Sequence, residues 1–572
     1  MKAPDRATVA RSGDRPRPPG IVERIPSRPG PVHRLLLICT RLATLLATLL
    51  TLAGCTVGAP RPATATPRAP TPTSPAIGQP IPATVRPSAT PAPHTPAPSP
   101  RAAAGASPTD RPPPTLSPVA GAASETPDAC RALPTRRDIP AYRFQVVTEP
   151  TAHRLRVHQQ LALADPARLA TGEILFDVPA NHAAGIFTLT DVRLAGGNAP
   201  LDVALAGTTL RVTLPAAPRR AATATLCLDF TLDLPPAAAE SGITGAHALG
   251  WSDLGDVAGY WYPILAPYDP SRGWRPVPYH PVGDPILAEA ADYAVSVVAP
   301  TGYTVIGAGF QGAQAGVWEF QLTDGRVFAF VVADRLVASS ADLGGIATRI
   351  YHQPAHQAAA QDVLAAAGEA LPLFVETFGA YPYDDLTIVE AVQFGGMEYS
   401  GLITFSSQWF ADYRPPAAGE EFGADFLIRF VVHEIGHQWW YGGVGNDQAN
   451  EPWLDEALAR FGEWLYYAQR HPVHLAWWEA PSAGMITVPI DQPIYNFEDT
   501  TSYVQAVYVS GTRFLLAARE RMGAAAFDTF LRDYYRQNRG RIVSGAEFLA
   551  TLRTHAGPAL DDLLPAYFGS LP

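Results

Sequence analysis

The sequence has no surplus of positive charge. Its 42 lysines and arginines are outnumbered by 53 acidic residues, which gives a formal net charge of −11. Residues 1–54 hold nine of the basic residues and three of the acidic ones, so a chain without them would carry −17. This balance argues against a nucleic acid as a partner. Lysine is almost absent, since Lys2 is the only one, but we attach no functional meaning to this bias.

The apolar run near the N-terminus, from Leu42 to Leu52, is too short to span a bilayer comfortably. It has the length of the hydrophobic region of a signal peptide, and Arg34 and Arg41 precede it. The run ends in Leu52-Ala-Gly-Cys55, which resembles the lipobox of bacterial lipoproteins, where the chain is cut before a cysteine that carries lipid. It predicts a lipoprotein signal peptide over residues 1–54 and lipidation of Cys55. The alternative is a signal anchor that stays in the membrane.

The segment 55–128 consists mainly of proline, alanine, threonine and serine, with almost no large apolar side chains. Such a segment cannot bury enough surface to offset its conformational entropy, so we expect a disordered, extended tether. With lipid on Cys55, the protein is expected to be exported to the cell envelope and anchored on the outer side of a membrane.

Cysteine is scarce, with four residues in the whole chain, and only Cys130 and Cys227 follow the lipobox. In an exported protein such a pair is more often bridged than free, so we predict a disulfide between them. Two unpaired thiols are the alternative, because a sequence does not fix the geometry that a disulfide requires.

Two regions with different patterns follow the tether. From about residue 142 to 337, short alternating runs such as Arg154–Leu161 and Tyr293–Val298 predict antiparallel strands, arranged as a β-sandwich. Gln357–Phe378 has the pattern of an amphipathic helix, and the chain is mainly helical from Glu421 onward. We therefore predict a multidomain α+β protein, with a β-rich domain over 129–345 and a mainly helical domain over 346–572.

The helical region contains His433-Glu434-Ile-Gly-His437 within an apolar run. Residues four apart lie on one face of a helix, so both histidines can bind one zinc ion, and Glu434 can act as a general base. Glu456 follows His437 after eighteen residues and is the candidate third ligand. Two histidines and a carboxylate leave the fourth zinc position open, as a catalytic site requires. Taken singly, the histidines could be core residues and Glu456 a solvated carboxylate.

These residues resemble the aminopeptidase N family of zinc metallopeptidases, the gluzincins of peptidase family M1. Gly395-Gly-Met-Glu-Tyr399 is similar to the family's Gly-x-Met-Glu-Asn, Trp453-Leu-Asp-Glu456-Ala to its Trp-Leu-Asn-Glu-Gly, and Tyr508-Val-Ser-Gly511 to its Tyr-x-Lys-Gly. The resemblance extends from near residue 140 to 572. It implies a saddle-like β-rich domain, a thermolysin-like catalytic domain and one zinc ion.

The resemblance also implies a role for each matched residue. Glu398 would bind the α-ammonium group of a peptide, and the backbone of Gly395 and Gly396 would pair with the substrate. Tyr508 would donate its hydroxyl to the oxyanion, with Tyr503 as the alternative.

The sequence departs from the family at two points of the predicted site. Many relatives have a second amine-binding residue from the β-rich domain, and the acidic residues near Asp253 and Asp256 give no clear match. Ser510 stands where the family usually has lysine.

We therefore predict a zinc aminopeptidase that acts on peptides with a free N-terminus. The alternatives are a zinc endopeptidase, an epoxide hydrolase of the same fold, or a catalytically silent surface binding protein.

Overall fold

The computed structural model describes residues 130–136, 139–197, 199–237, 249–417 and 419–570, all within one compact unit. The predicted signal peptide (1–54), the lipidation site Cys55 and the predicted tether (55–128) lie outside the described residues.

The described strands are, in chain order, β1 (Ala141–Glu149), β2 (Arg154–Leu163), β3 (Glu173–Asp177), β4 (Phe187–Leu194), β5 (Asp202–Ala206), β6 (Thr209–Thr213), β7 (Ala224–Asp233), β8 (Leu249–Ser252), β9 (Gly255–Ala258), β10 (Ile264–Leu265), β11 (Tyr268–Asp269), β12 (Gly273–Trp274), β13 (Ala291–Val298), β14 (Thr304–Gly307), β15 (Phe310–Gln314), β16 (Val317–Gly325), β17 (Phe330–Ala333), β18 (Val337–Asp342), β19 (Ala347–His352), β20 (Asp385–Ala391), β21 (Gly396–Tyr399) and β22 (Leu402–Ser406).

The described α-helices are α1 (Pro166–Ala170), α2 (Gln357–Phe378), α3 (Ser407–Asp412), α4 (Phe426–His437), α5 (Trp453–Arg470), α6 (Leu475–Glu479), α7 (Thr500–Tyr503), α8 (Gly511–Met522), α9 (Ala524–Asn538), α10 (Gly545–Ala556) and α11 (Leu564–Tyr567). A π-helical segment, Val504–Ser510, joins α7 to α8. Short 3₁₀ helices lie at Pro179–His182, Pro218–Arg220, Pro354–His356, Pro472–His474, Ala480–Ser482, Ile494–Asn496 and Gly557–Leu560.

The β-rich region is built on a seven-stranded sheet in the order β15-β16-β13-β1-β2-β7-β4. The alternating pattern puts one face of this sheet in the core, as in β1, where Tyr142, Phe144 and Val146 are buried. Neighbouring strands are antiparallel except β1 and β13, which run parallel. Alternation along a strand does not reveal the direction of its partner, so this pair is a finding of the structure.

Two four-stranded sheets, β10-β3-β6-β5 and β14-β17-β9-β8, complete the β-rich region. Their apolar side chains share one core with the large sheet, where Phe176 of β3 and Phe330 of β17 join Phe144. The predicted order of a β-rich region followed by a helical one is confirmed. Cys130 and Cys227 form a disulfide that ties the start of the described chain to β7.

The second region begins with a five-stranded sheet in the order β18-β19-β20-β22-β21, so β21 lies at an edge. The helices α2, α4 and α5 pack together beside it. By length and composition, the described residues contain one helix that could cross a membrane, Pro354–Phe378, but half of its most apolar window is buried. Phe374 and Phe378 of this helix pack on Trp439, which makes it a core helix.

The helices α4 and α5 run antiparallel in close contact. Asp425 caps α4 by accepting a hydrogen bond from the backbone N–H of Leu427 at 2.7 Å. A Cβ atom on Gly436 would lie 3.2 Å from the Cα of Ala459 on α5. Glycine therefore lets the two helices approach closely at the level where α4 carries its histidines.

The β-rich region is joined to the helical one by a buried guanidinium. Arg326 donates hydrogen bonds from Nε to the carbonyl of Tyr441 and from Nη2 to that of Arg541, at 2.5 and 2.6 Å. Its Nη1 donates to the carbonyl of Ala288 at 3.0 Å. All three nitrogens of this side chain are thus bonded to backbone oxygens.

Candidate metal centre

The packing of α4 against α5 brings three electron-rich atoms together in a buried space. The two Nε2 atoms of His433 and His437 lie 3.1 Å apart, and Glu456 Oε2 lies 3.1 Å from the first and 3.3 Å from the second. These side chains are almost fully buried. The two histidines lie one turn apart on α4, and Glu456 lies in the first turn of α5.

The hydrogen bonds of the imidazoles show which nitrogens face this space without a proton. His437 Nδ1 lies 3.1 Å from the carbonyl of Trp440, which only accepts, so in the neutral ring Nδ1 is protonated. His433 Nδ1 lies 2.8 Å from Glu463 Oε1 and donates in the same way. Both Nε2 lone pairs therefore point at each other and at a carboxylate, which is unfavourable without a cation between them.

The donor spacing fits zinc. A tetrahedral ion with ligands at about 2.0 to 2.1 Å places neighbouring ligand atoms about 3.3 Å apart. The three separations in this cluster agree with that value. Glu398, Glu434 and His437 form a second group of donors that lie within 4.8 Å of one another. The first group has two imidazoles whose tautomers are fixed by their own partners, so it is the better zinc site.

Glu463 lies two turns after Glu456 on α5 and holds His433 in place. Besides His433, it accepts hydrogen bonds from Arg429 Nε at 2.7 Å and from Trp478 Nε1 at 2.6 Å. Burial by itself raises the pKa of Glu463, but the Arg429 guanidinium and the His433 hydrogen bond hold this pKa well below its ordinary value. Glu463 is therefore a carboxylate that orients His433, and no motif in the sequence indicated it.

Glu434 lies beside the three donors and against β21. A Cβ atom on Gly396 would lie 2.3 Å from Glu434 Oε1, so only glycine leaves room for this carboxyl group. Glu434 Oε2 has no hydrogen-bond partner among the described residues. Burial, opposed by His433 and assisted by Glu398, raises the pKa of Glu434 to about 8. A carboxyl group with a free oxygen in this position can take a proton from a molecule bound beside the three donors.

Tyr508 reaches the centre from the π-helical segment Val504–Ser510. Its hydroxyl donates to Glu456 Oε1 at 2.5 Å. A Cβ atom on Gly511 would lie 2.7 Å from the Cβ of Ala457, so glycine allows the segment to approach α5. Ser510 Oγ donates to the carbonyl of Gln505 at 2.9 Å and supports the wide turn. Tyr503 packs edge-on against Tyr508, and it does not line the cavity described below.

Glu398 belongs to β21, whose outer edge has no partner strand among the described residues. Its Oε1 accepts a hydrogen bond from Gln448 Nε2 at 3.2 Å, and Gln448 also donates to Asp455 at 2.8 Å. Gly395, just before the strand, has a φ of 70°, which favours glycine. The edge strand and the oriented carboxylate therefore face the same space.

Asp284 also faces this space, and no sequence motif indicated it. It lies after Gly283 in a segment outside regular secondary structure and is 5% exposed. Burial, and then the nearby Glu398 and Glu456 carboxylates, raise its pKa well above the ordinary range. The residues near which the sequence suggested a second carboxylate lie elsewhere: Asp256 pairs with His153, and Asp253 is exposed.

A cavity of about 280 Å³ contains all these groups. Asp284 and Glu398 line it together with the three donors, Glu434 and Tyr508. Aromatic and apolar side chains from several elements form the remaining wall, among them Phe394, Met397, Trp409, Phe426, Phe430 and Met485. The site is thus an apolar cavity with a cluster of ionisable groups in its floor, which is typical of a binding site for a small molecule or peptide.

Comparisons with known proteins agree with this arrangement. Residues 363–567 match the family model described as the peptidase family M1 domain. Human endoplasmic reticulum aminopeptidase 1 is 30% identical over 149 residues, and aminopeptidase N of Streptomyces lividans is 29% identical over 187 residues. The two matches cover 25% and 30% of this chain, and 15% and 21% of the relatives. The chain therefore spans less than a quarter of the length of these relatives.

Solved structures match over a larger share of the chain. An M1 zinc metallopeptidase from Deinococcus radiodurans gives a TM-score of 0.55 at 19% identity, over 77% of this chain and 95% of that chain. A mutant of an M1 zinc metallopeptidase from the same organism, bound to a Tyr-Ser-Ala substrate, gives 0.54 at 18% identity, over 78% of this chain and 98% of that one. At this identity the likeness establishes a shared fold.

The role of Glu463 gives the first prediction. Glu463→Gln should lower the affinity for zinc by roughly 10- to 100-fold, because the hydrogen bond that orients His433 is weakened. Competition with a chromophoric chelator measures this affinity. Glu479→Gln, which removes an exposed carboxylate beyond α5, serves as the control. Equal affinities of Glu463→Gln and the unmodified protein would contradict the orienting role.

Proposed function

We propose that this chain, whose residues 363–567 match the peptidase family M1 domain, is a zinc-dependent aminopeptidase that removes residues from the N-terminus of peptides. One observation carries the proposal: the buried carboxyl groups of Glu398 and Asp284 line the same cavity as two histidines and a glutamate whose donor atoms lie 3.1 to 3.3 Å apart. Carboxyl groups placed there can bind the α-ammonium group of a peptide and fix where cleavage occurs.

The residues around the centre suit hydrolysis of a peptide bond. When bound to His433, His437 and Glu456, zinc supplies Lewis-acid chemistry that polarises a carbonyl group and makes water more acidic. Glu434 takes the proton of the attacking water and delivers a proton to the leaving amine. Tyr508 donates its hydroxyl to the oxyanion, once a substrate displaces the hydroxyl from Glu456.

The substrate backbone is positioned by β21. An edge strand can add an extended peptide as a further strand, with main-chain hydrogen bonds that do not depend on the peptide's sequence. Gly395 and Gly396 carry no side chain that would keep the peptide from this edge. Glu398 follows on the same strand, so the pairing and the amine site are fixed by one element.

The comparisons support the proposed aminopeptidase function, but the matches cover only part of each curated relative. The matched relatives are named as aminopeptidases, and the structural neighbours as zinc metallopeptidases. Because the matches to curated relatives cover a small part of them, activity and substrates of this chain rest on its own residues. The buried carboxyl groups of Glu398 and Asp284 favour a charged amine over the uncharged chain that an endopeptidase would have to bind there.

Replacing the base tests the function directly. Glu434→Gln should retain zinc but hydrolyse aminoacyl chromogenic amides about 10²- to 10⁴-fold more slowly, because this is what general-base catalysis contributes. Both proteins are produced as the chain from Ala129 onward. The release of the chromophore is measured on each, and so is the zinc content. If both hold zinc and neither cleaves an amide with a free amine, the aminopeptidase assignment falls, and cleavage of N-acetylated peptides would point to an endopeptidase.

The amine site gives a separate prediction. Glu398→Gln should lower kcat/KM for free-amine amides by about 10- to 100-fold, because a hydrogen bond between two charges becomes one between a charge and a neutral group. Asp253→Asn, which changes an exposed carboxylate of the β8–β9 turn, is the matched control. An unchanged kcat/KM in Glu398→Gln would show that the amine binds elsewhere.

We also infer that the protein is exported and held to a membrane by lipid on Cys55. Support comes from the apolar run Leu42–Leu52 and from the small residues Ala53 and Gly54 before the cysteine. A single acyl chain binds membranes only marginally, so stable anchoring requires more than one chain on the modified cysteine.

Cys55→Ala tests the anchor. In the unmodified protein the N-terminal peptide should begin at Cys55 and carry lipid, whereas the Cys55→Ala chain should carry no lipid and keep residues 1–54, because the cut is made before a lipid-modified cysteine. Fractionation followed by mass measurement of the N-terminal peptide checks both points. An unmodified protein that stays in the membrane with residues 1–54 attached and no lipid would instead indicate a signal anchor.

A further inference from the structure

A buried arginine in the cavity wall has no role in the scheme above. Arg460 lies one turn after Glu456 on α5 and lines the cavity. It is 6% exposed, and its guanidinium stacks on Trp478 at 4.8 Å. Nη2 donates one long hydrogen bond, 3.3 Å, to Ser482 Oγ, while Nε has no acceptor among the described residues.

Such an arrangement is costly because a buried charge normally needs a counter-ion or a full set of hydrogen bonds. Arg326, which is also buried, shows the usual solution, since all three of its nitrogens are bonded to backbone carbonyls. Burial lowers the pKa of Arg460 to about 10, so the side chain remains charged near neutral pH. The cavity therefore contains a cation that the described protein leaves incompletely satisfied.

The neighbouring charges do not neutralise Arg460. Glu463 is the acidic residue that acts on it most strongly, but this carboxylate is already bonded to His433, Arg429 and Trp478. No carboxylate of the described residues lies close enough to form an ion pair with Arg460, whereas Arg429 pairs with Glu463 at 2.7 Å. Among the described residues, Glu463 is thus the one carboxylate beside the guanidinium groups of Arg429 and Arg460 and is bonded to Arg429 alone of the two, which leaves a net positive charge.

The position of this charge follows from the antiparallel helices. The start of α4 faces the later part of α5, as the contact of Arg429 with Glu463 shows. Glu398 lies at the opposite end, where Gln448 links it to Asp455 in the first turn of α5. A peptide whose amine is at Glu398 therefore has its scissile bond near the metal centre, and the residue that leaves enters the part of the cavity lined by Arg460.

We infer that Arg460 is a specificity residue that binds a carboxylate of the residue following the scissile bond. This inference rests on the proposed aminopeptidase function. The carboxylate has two possible sources, namely the C-terminus of a dipeptide or the side chain of an acidic second residue. In either case the ligand supplies the acceptor that the guanidinium lacks, in a cavity whose aromatic walls strengthen the interaction by excluding water.

Two pairs of substrates with the same first residue separate the sources. The first pair is the dipeptide Leu-Ala and its C-terminal amide, and the second is the amides of Leu-Glu and Leu-Gln. In the unmodified, zinc-replete protein, kcat/KM should be about 10- to 100-fold higher for the charged member of at least one pair, the range expected for hydrogen bonds to a charged group. A preference in the first pair identifies the C-terminus, and one in the second identifies the side chain.

Variants show whether Arg460 causes the preference. In Arg460→Gln, the ratio of kcat/KM for the charged member of the pair to that for the neutral member should fall close to one. Arg460→Lys should retain part of this ratio. Arg519→Gln is the matched control, since Arg519 also stacks on a tryptophan, Trp464 at 5.1 Å, but does not line the cavity. It should keep the full ratio. Equal rates within both pairs in the unmodified protein, or a ratio that survives Arg460→Gln, would overturn the inference.

A binding measurement keeps this test separate from the proposed function. Calorimetry on zinc-replete Glu434→Gln should show the same preference as a ratio of Kd values for the charged and neutral peptides. If the unmodified protein hydrolyses none of the four substrates, the aminopeptidase proposal fails, and the Kd ratio still decides the role of Arg460. A Kd ratio near one would contradict it.

Discussion

Three buried donor atoms, two imidazole nitrogens and a carboxylate oxygen, meet between α4 and α5, and the rest of the site is arranged to hold them there. The Nε2 atoms of His433 and His437 would repel each other and Glu456 if no cation bound them. Gly436 lets α4 approach α5, and Gly511 lets the Tyr508 segment approach from the other side. Glu463 fixes His433 and is fixed in turn by Arg429. Close packing and one metal ion thus stabilise the same arrangement.

Around this centre the charges of the cavity are separated by sign. Glu398 is linked through Gln448 to Asp455 in the first turn of α5, whereas Arg460 and the Arg429–Glu463 pair lie further along that helix. A peptide is a chain with an ammonium group at its start and a carboxylate at its end, so the field of the cavity fixes the direction in which it binds. Direction decides which bond lies at the metal, and this is the basis of the proposed exopeptidase action.

The sequence was sufficient for the parts of the site that depend on local spacing. The four-residue interval between the histidines is a property of any α-helix, and the resemblance of four motifs to the aminopeptidase N family is confirmed by the peptidase M1 match. Asp284, Glu463 and Arg460 could not be found in this way. They reach the cavity through tertiary packing, and nothing in their immediate sequence distinguishes them from other charged residues. The same limit applies to the parallel pairing of β1 with β13, and the lipidation of Cys55 stays a prediction.

The most direct test of the central claim is the structure of the zinc-loaded protein, with anomalous diffraction recorded on both sides of the zinc absorption edge. We expect one zinc ion per chain, bound at about 2.0 to 2.1 Å by Nε2 of His433, Nε2 of His437 and a carboxylate oxygen of Glu456. An anomalous peak among Glu398, Glu434 and His437 instead, the other group of donors within reach of one ion, would contradict it. The base and the amine site would then be metal ligands, and the proposed division of roles would not hold.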